Sequence, residues 1–220
     1  MTLPITLFVD SAERTAAERW LATGAVWGLT SNPTILRKAG ARLADVPAID
    51  QWARAAGAQE VCFQTWGDSA EEWYANAMRL REVAPEAIVK VPCTEAGASV
   101  ITRLHRHGVP TLLTAVYAAK QALIGSALGV KYIAPYYHRM LVQGRDALAE
   151  CARMADALLQ DGSGPILLAA SLKSARDVVA LTGVGLRAFT AAPEVLEDLV
   201  ADQLTAGAVD VFEQHMAELL

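Results

Sequence analysis

Short apolar runs alternate along the chain with longer segments of helical periodicity. The runs are rich in Val, Ile and Leu and lack strict polar alternation, as is typical of parallel strands buried on both faces. They predict eight strands, at residues 5–10, 25–30, 60–65, 87–92, 110–116, 131–136, 165–171 and 187–192. The helical segments between them include Ser11 to Leu21, Ser69 to Glu82, Glu95 to His107 and Ala147 to Leu159.

About eight strand–helix repeats in 220 residues predict an α/β fold, a single (β/α)8 TIM barrel over residues 1–220. An open doubly wound sheet is the alternative, but no G-x-G-x-x-G motif follows the first strand. A last barrel helix is expected at about 193–201, and an extra helix at about 204–220 carries an apolar stripe. We expect this stripe to pack on a neighbouring subunit, on the barrel's outside or back onto its own chain.

Composition narrows the classes of function. The net charge of -5 argues against a nucleic-acid or acidic-membrane partner, so an anionic substrate would need a local basic cluster. Cys62, Cys93 and Cys151 form no C-x-x-C pair, which fits a reducing compartment without disulfides or a zinc site. The first residues lack the features of a signal peptide, and no apolar run reaches the roughly 18 residues of a membrane span. We therefore expect a cytoplasmic protein.

Polar residues interrupt or end the apolar runs, where a barrel places its active-site mouth. A purely structural interior would not need them, since an unpaired buried polar group costs about 1–3 kcal/mol. All predicted strands except the eighth contribute to this set, which comprises Asp10, Thr30, Ser31, Asn32, Gln64, Lys90, Thr114, Tyr136, Ser171 and Lys173.

Lys90 is the most informative of these residues because it lies inside the apolar run AIVKVP. An amine in such surroundings is desolvated, and desolvation disfavours the charged ammonium form. A neutral amine can attack a ketone and form an iminium, the electron sink for carbon–carbon cleavage. The alternative is a structural lysine that is ion-paired or extends to the barrel rim.

Three neutral side chains, those of Gln64, Thr114 and Tyr136, could hold a water molecule and relay a proton. Tyr136 is the natural acid/base candidate, since only its group ionises. Asp10 could act at the mouth or begin the next helix together with Ser11, and Asn32 could likewise simply begin a helix.

Arg139 and Ser171 are the candidates for binding an anion. Ser171 ends the seventh predicted strand, where barrels often bind phosphate, and the guanidinium of Arg139 matches phosphate geometry. Lys173 and Arg176 could add charge but are expected to be solvated helix residues. The histidines form no H-E-x-x-H or comparable set, so no metal site is expected.

The chain resembles a known family over nearly its whole length. The strings LTSNPT, IVKVPCTEAG, GVPTLLTAVY, YIAPYYHR and LLAASLKSAR are similar to those of the small transaldolase family, particularly its fructose-6-phosphate aldolase branch. The resemblance implies a (β/α)8 barrel with a Schiff-base lysine in the fourth strand, and no metal or organic cofactor. It also implies a homo-oligomer, a pentamer or decamer, in which the carboxyl-terminal helix reaches a neighbour.

The resemblance also implies a role for each candidate. Lys90 matches the Schiff-base lysine, and Thr114 matches a threonine that helps to bind the catalytic water. Asp10 and Asn32 match residues that handle the donor hydroxyls and proton traffic, and Arg139 and Ser171 match the phosphate-binding pair. Ser31, beside Asn32, stands in place of a common threonine. Gln64 and Tyr136 stand where transaldolases typically carry Glu and Phe, which favours the aldolase branch.

Some residues depart from the family pattern. Trp66 and the pair Tyr137 and His138 are bulkier than expected near the mouth.

The sequence thus predicts reversible cleavage of fructose 6-phosphate or a similar ketose to dihydroxyacetone and an aldehyde such as glyceraldehyde 3-phosphate. A transaldolase, which passes the dihydroxyacetone unit to another sugar phosphate, is the closest alternative. A non-catalytic barrel that binds sugar phosphates is an alternative of another class.

Overall fold

The eight predicted strands form one closed parallel barrel in a computed structural model that describes residues 4–158 and 164–220. The strands follow chain order around the barrel, and pairing of β1 with β8, which places Phe8 opposite Thr190, closes it. This closure confirms the TIM barrel prediction over the open sheet.

The strands are short, and the helices connect them on the outside of the barrel. The strands are β1 (Thr6–Asp10), β2 (Gly28–Thr30), β3 (Glu60–Gln64), β4 (Ile88–Pro92), β5 (Thr111–Val116), β6 (Tyr132–Pro135), β7 (Ile166–Ala169) and β8 (Ala188–Ala191). The α-helices are α1 (Arg14–Ala22), α2 (Pro33–Lys38), α3 (Val46–Ala55), α4 (Ala70–Val83), α5 (Glu95–His105), α6 (Ala119–Leu128), α7 (Tyr137–Val142), α8 (Ala147–Leu158), α9 (Ala175–Gly183), α10 (Pro193–Val200) and α11 (Gln203–Leu219). A short 3₁₀ helix, Leu43–Asp45, precedes α3.

Several elements are shorter than the sequence predicts. Tyr136 and Ser171 lie just beyond their strands, and Leu159, the predicted end of α8, lies outside the described residues. Helix α1 begins at Arg14 rather than near Ser11, because the Glu13 carboxylate accepts hydrogen bonds from the amides that follow it.

The core has two parts, one between barrel and helices and one inside the barrel. The inner part includes Phe8, Cys62, Ile88, Leu112, Tyr132, Leu168 and Ala188. Side chains alternate along a strand with a period of two, so the next inward positions towards the carboxyl ends are fixed. They are Asp10, Gln64, Lys90, Thr114 and Thr190, together with two alanines, Ala134 and Ala170. The apolar interior therefore ends in a polar layer at the mouth.

Helix α5 lies unusually close to the end of β4. A Cβ atom on Gly97 would approach the Pro92 carbonyl oxygen to 2.1 Å, so only glycine fits there. The Thr94 hydroxyl caps α5 by accepting from the Gly97 amide at 3.0 Å. These contacts fix the strand end that carries Lys90.

Helix α11 leaves the apolar stripe predicted at 204–220 uncovered. Leu204 is 85% exposed and Phe212 is 63% exposed, so the stripe does not fold back onto the described part of its own chain. Among the described residues, no helix combines the length and the apolar character that a membrane crossing requires.

Candidate active site

Lys90 lies on the inner face of β4, one layer above Ile88, and its side chain reaches the cavity at the barrel mouth. Only 3% of the residue is exposed. Gln64 is its register partner on the neighbouring strand β3. The lysine is therefore buried but accessible from the cavity, as a nucleophile requires.

Asp10, at the end of β1, carries a perturbed carboxyl group in the same cavity. Burial raises its pKa above the ordinary value of 3.8, although Lys90 and a hydrogen bond from Thr30 act in the opposite direction. The Thr30 hydroxyl donates to Asp10 Oδ1 at 2.6 Å. The charges of Arg139 and Lys173 also lower this pKa, to a smaller extent.

Tyr136 and Thr114 form a buried hydroxyl pair across β5 and the end of β6. Their oxygen atoms are 2.9 Å apart, and Thr114 is only 1% exposed. The register between β5 and β6 shifts after Leu113, and Ala115 adopts a left-handed φ of 57°. A strained non-glycine residue here is consistent with a backbone held for function.

Helix α7, which follows β6, and the loop after β7 bring Arg139 and Ser171 to the same cavity. The His138 amide donates to the Ser171 carbonyl at 3.0 Å, which ties the start of α7 to the end of β7. Ser171 has a left-handed φ of 58°. The Arg139 guanidinium carbon lies 5.0 Å from the centre of the Tyr136 ring. A cation and a hydroxyl thus stand together beside the acid/base candidate.

The cavity at the mouth has a volume of about 580 Å³. It is open between the barrel and helices α1, α2 and α10. From the predicted set it is lined by Asp10, Asn32, Lys90, Tyr136, Arg139 and Ser171, with His138 and Lys173. The structure thus brings most of the predicted residues together around one space.

Other predicted residues do not line the cavity. Gln64 and Thr114 lie behind it, beside Lys90 and Tyr136 respectively. Ser31 is fully buried, and its hydroxyl has no hydrogen-bond partner among the described residues. Asn32 lines the cavity and also caps α2, since its Oδ1 accepts from Thr34 and Ile35 amides at 2.9 and 3.1 Å.

The bulky residues flanking the motifs point in different directions. Trp66 packs against the outer core, and Tyr137, at 7% exposure, belongs to that core. His138 alone of the three lines the cavity. The mouth is therefore less crowded than the sequence suggests.

Two cavity residues were missed or misjudged from the sequence. Thr190, on the eighth strand, lines the cavity at 2% exposure, and its position within the apolar run RAFTAA was an available signal. Lys173 is exposed, as expected, but it lies before α9 begins rather than on that helix, and it lines the cavity as well. The eighth strand thus contributes to the polar layer like the others.

Residues 7–219 match the sequence pattern of the family described as transaldolase/fructose-6-phosphate aldolase. The chain belongs to this family. Its members are enzymes of the lyase and transferase type. In residues 4–158 and 164–220, no three His, Cys, Asp or Glu side chains are grouped to hold a metal ion.

The barrel is also similar to solved structures of mandelate oxidase. A variant with 4-Br-2-hydroxy-methylphenylacetate has a TM-score of 0.61 and 16% identity, covering 86% of this chain and 65% of that chain. A variant with 2-hydroxy-phenylacetamide has a TM-score of 0.60 and 15% identity, covering 85% and 64%. A mutant with benzaldehyde has a TM-score of 0.61 and 15% identity, covering 85% of this chain and 64% of that chain. This chain thus spans less than two thirds of their length, and the likeness concerns the fold alone.

Proposed function

We propose that the protein is a class I aldolase that cleaves and forms fructose 6-phosphate or a similar ketose through a Schiff base on Lys90. The products of cleavage are dihydroxyacetone and an aldehyde such as glyceraldehyde 3-phosphate. The observation that carries the proposal is the placement of Lys90. The residue is 3% exposed, and its side chain lies on the inner face of the barrel and shares one cavity with Asp10 and Tyr136.

The reaction begins when the Lys90 amine attacks the ketose carbonyl. The carbinolamine that forms loses water to give an iminium, which accepts the electron pair of the breaking carbon–carbon bond. The hydroxyl on the departing carbon gives its proton to the acid/base group as the aldehyde leaves, and an enamine of dihydroxyacetone remains on Lys90. Protonation of the enamine carbon and hydrolysis of the iminium then release dihydroxyacetone and regenerate the amine.

Tyr136 is the proposed acid/base group of these steps. Its hydroxyl is 2.9 Å from that of Thr114, so the pair can hold a water molecule together with Gln64 and relay protons through it. Asp10, with its raised pKa, is a second group able to exchange a proton with the donor hydroxyls. Asn32 orients the same hydroxyls through the amide hydrogens that its capping contact leaves free.

Arg139 and Ser171 are the proposed phosphate contacts. Arg139 lies in α7, which follows β6, Ser171 lies just after β7, and both line the cavity. A guanidinium supplies two parallel donors to phosphate oxygens. The resemblance at Gln64 and Tyr136 favours the aldolase over a transaldolase. Release of free dihydroxyacetone without any acceptor aldehyde distinguishes the two, because a transaldolase retains the enamine until an acceptor arrives.

Borohydride trapping tests the proposal. Reduction in the presence of dihydroxyacetone should attach a three-carbon unit to the peptide that contains Lys90, as read by mass spectrometry. Lys90→Met should abolish this labelling, whereas Lys131→Met, which removes a lysine at 44% side-chain exposure from the opposite end of the barrel, should retain it. Labelling of another lysine, or none in the wild-type protein, would refute the mechanism.

A second measurement needs no acceptor. The iminium of dihydroxyacetone loses a carbon-bound proton to form the enamine, and a solvent-derived proton or deuteron returns to the same carbon. Wild-type enzyme in D₂O should therefore incorporate deuterium into dihydroxyacetone. Binding of a sugar phosphate without exchange or trapping would instead support the non-catalytic alternative.

We also propose that the apolar stripe of α11 packs on a neighbouring copy of the chain. The exposure of Leu204 and Phe212 supports this, since large apolar side chains at helical spacing favour burial in an interface.

A further inference from the structure

Thr190 occupies a position that the proposed mechanism does not use. It lies on β8, opposite Phe8 in the β1–β8 register, and lines the cavity. Its side-chain oxygen is 2.6 Å from that of Thr30, which is completely buried and itself bonds Asp10 Oδ1 at 2.6 Å. Three side chains from three neighbouring strands thus form one continuous hydrogen-bonded chain.

The direction of this chain follows from counting hydrogens. A threonine hydroxyl has one hydrogen, and that of Thr30 is directed to Asp10 when the carboxylate is charged. Thr190 must then donate to Thr30, which leaves the Thr190 oxygen able to accept a further hydrogen bond beside the cavity that the residue lines. If Asp10 takes a proton on Oδ1, both bonds reverse, and Thr190 donates its hydrogen into the cavity instead.

We propose that Thr190 is a positioning residue for Asp10, acting through Thr30 as the cavity end of a reversible hydroxyl chain. The inference rests on the proposed aldolase function. When the two hydrogen bonds reverse direction, both threonine hydroxyls stay neutral, because each accepts one hydrogen bond and donates another. The only change in charge is the proton that Asp10 gains or loses. Thr190 supplies the acceptor that Thr30 needs when Asp10 is protonated at Oδ1.

Removal of the Thr190 hydroxyl therefore has a defined effect. In Thr190→Val, Thr30 keeps its bond to the charged carboxylate, but its hydrogen has no acceptor in the reversed state. A buried donor without a partner disfavours the state that contains it by roughly a factor of ten. Here that state is the one with Asp10 protonated at Oδ1. The valine variant should therefore hold the proton on Asp10 about tenfold more weakly.

The test follows the exchange of deuterium into dihydroxyacetone across pH. In a plot of the exchange rate against pH, one limb should follow the protonation of Asp10. In Thr190→Val this limb should lie about one pH unit lower than in wild type. Thr190→Ser retains the hydroxyl and should restore the wild-type limb. Asp10→Asn, which removes the titrating group, identifies the limb by abolishing it.

The control is a threonine of the same barrel at its other end. Thr111 is completely buried on β5, and its hydroxyl bonds His105 Nε2 at 2.8 Å, far from the chain described here. Thr111→Val should leave the limb in place, even if its melting temperature falls. If Thr190→Val does not fold, Thr190→Ala removes the same hydroxyl and carries the same expectation.

The outcomes separate the two proposals. If wild-type protein shows neither exchange nor trapping on Lys90, the aldolase function fails. If wild type exchanges deuterium and Thr190→Val keeps the wild-type limb, the aldolase function stands and the role of Thr190 is refuted. A shift of the same size in Thr111→Val would also refute that role.

Discussion

The hydroxyl pair of Thr114 and Tyr136 allows a quantitative test of how the site is built. The oxygens are 2.9 Å apart, and the residues are 1% and 8% exposed. Tyr136→Phe leaves the Thr114 hydroxyl buried without this partner. Such a loss costs about 1–3 kcal/mol of unfolding free energy, because desolvation of the hydroxyl is no longer compensated.

The reciprocal change should cost less. In Thr114→Val the Tyr136 hydroxyl loses the same bond, but Tyr136 lines the cavity and is 8% exposed, so we expect water to replace the threonine hydroxyl. We expect a loss of about 0.5–1 kcal/mol. The double variant leaves no hydroxyl unpaired, so its stability should match that of the milder Thr114→Val variant, which corresponds to a coupling of about 1–3 kcal/mol.

Urea unfolding followed by circular dichroism at one fixed protein concentration measures the four free energies. The deuterium exchange rate of dihydroxyacetone, measured in parallel, should fall about 10²- to 10⁴-fold in Tyr136→Phe if this hydroxyl relays the proton. Tyr74→Phe, on the outer helix α4, is the matched control and should change neither quantity appreciably.

Two results would refute this reasoning. Strictly additive free energies would mean that the two hydroxyls do not share a bond in solution. An exchange rate in Tyr136→Phe equal to that of Tyr74→Phe would remove Tyr136 from the proton relay, whatever the effect on stability.

Two further predictions concern stability and assembly. The pKa of Asp10 is raised in the folded protein, so folding is accompanied by proton uptake near that pKa. The contribution of Asp10 to stability therefore decreases as pH rises from the ordinary pKa of 3.8 through the raised pKa. Asp10→Asn should therefore gain unfolding free energy relative to wild type over this window in urea titrations, and a pH-independent difference would contradict the shift. Phe212→Glu should lower the particle mass measured by light scattering, because it places a charge in the exposed apolar stripe. Gln214→Glu adds the same charge on the other side of α11 and should leave the mass unchanged. Equal masses for both variants and wild type would exclude the stripe from an interface.

Local sequence pattern located the strands, several of the helices and most of the polar layer, although not the bounds of every element. The period of two along a strand places Lys90 above Ile88 and Asp10 above Phe8 without knowledge of the neighbouring strands. The same rule identifies Thr190, which sequence reasoning passed over only because one threonine in an apolar run carries little weight by itself.

Only the tertiary structure decided which polar groups touch. Thr30 meets Thr190 because the barrel closes between β1 and β8, a contact across 160 residues of chain. Thr114 meets Tyr136 where the β5–β6 register shifts, and no periodicity reports such a shift. Ser31 turns into the protein while Asn32 beside it faces the cavity. The face of a strand on which a side chain lies depends on neighbours along that strand, so the sequence pattern is enough to predict it. Barrel closure, strand register and loop direction depend on the packing of segments far apart in the chain, so only the tertiary structure decides them.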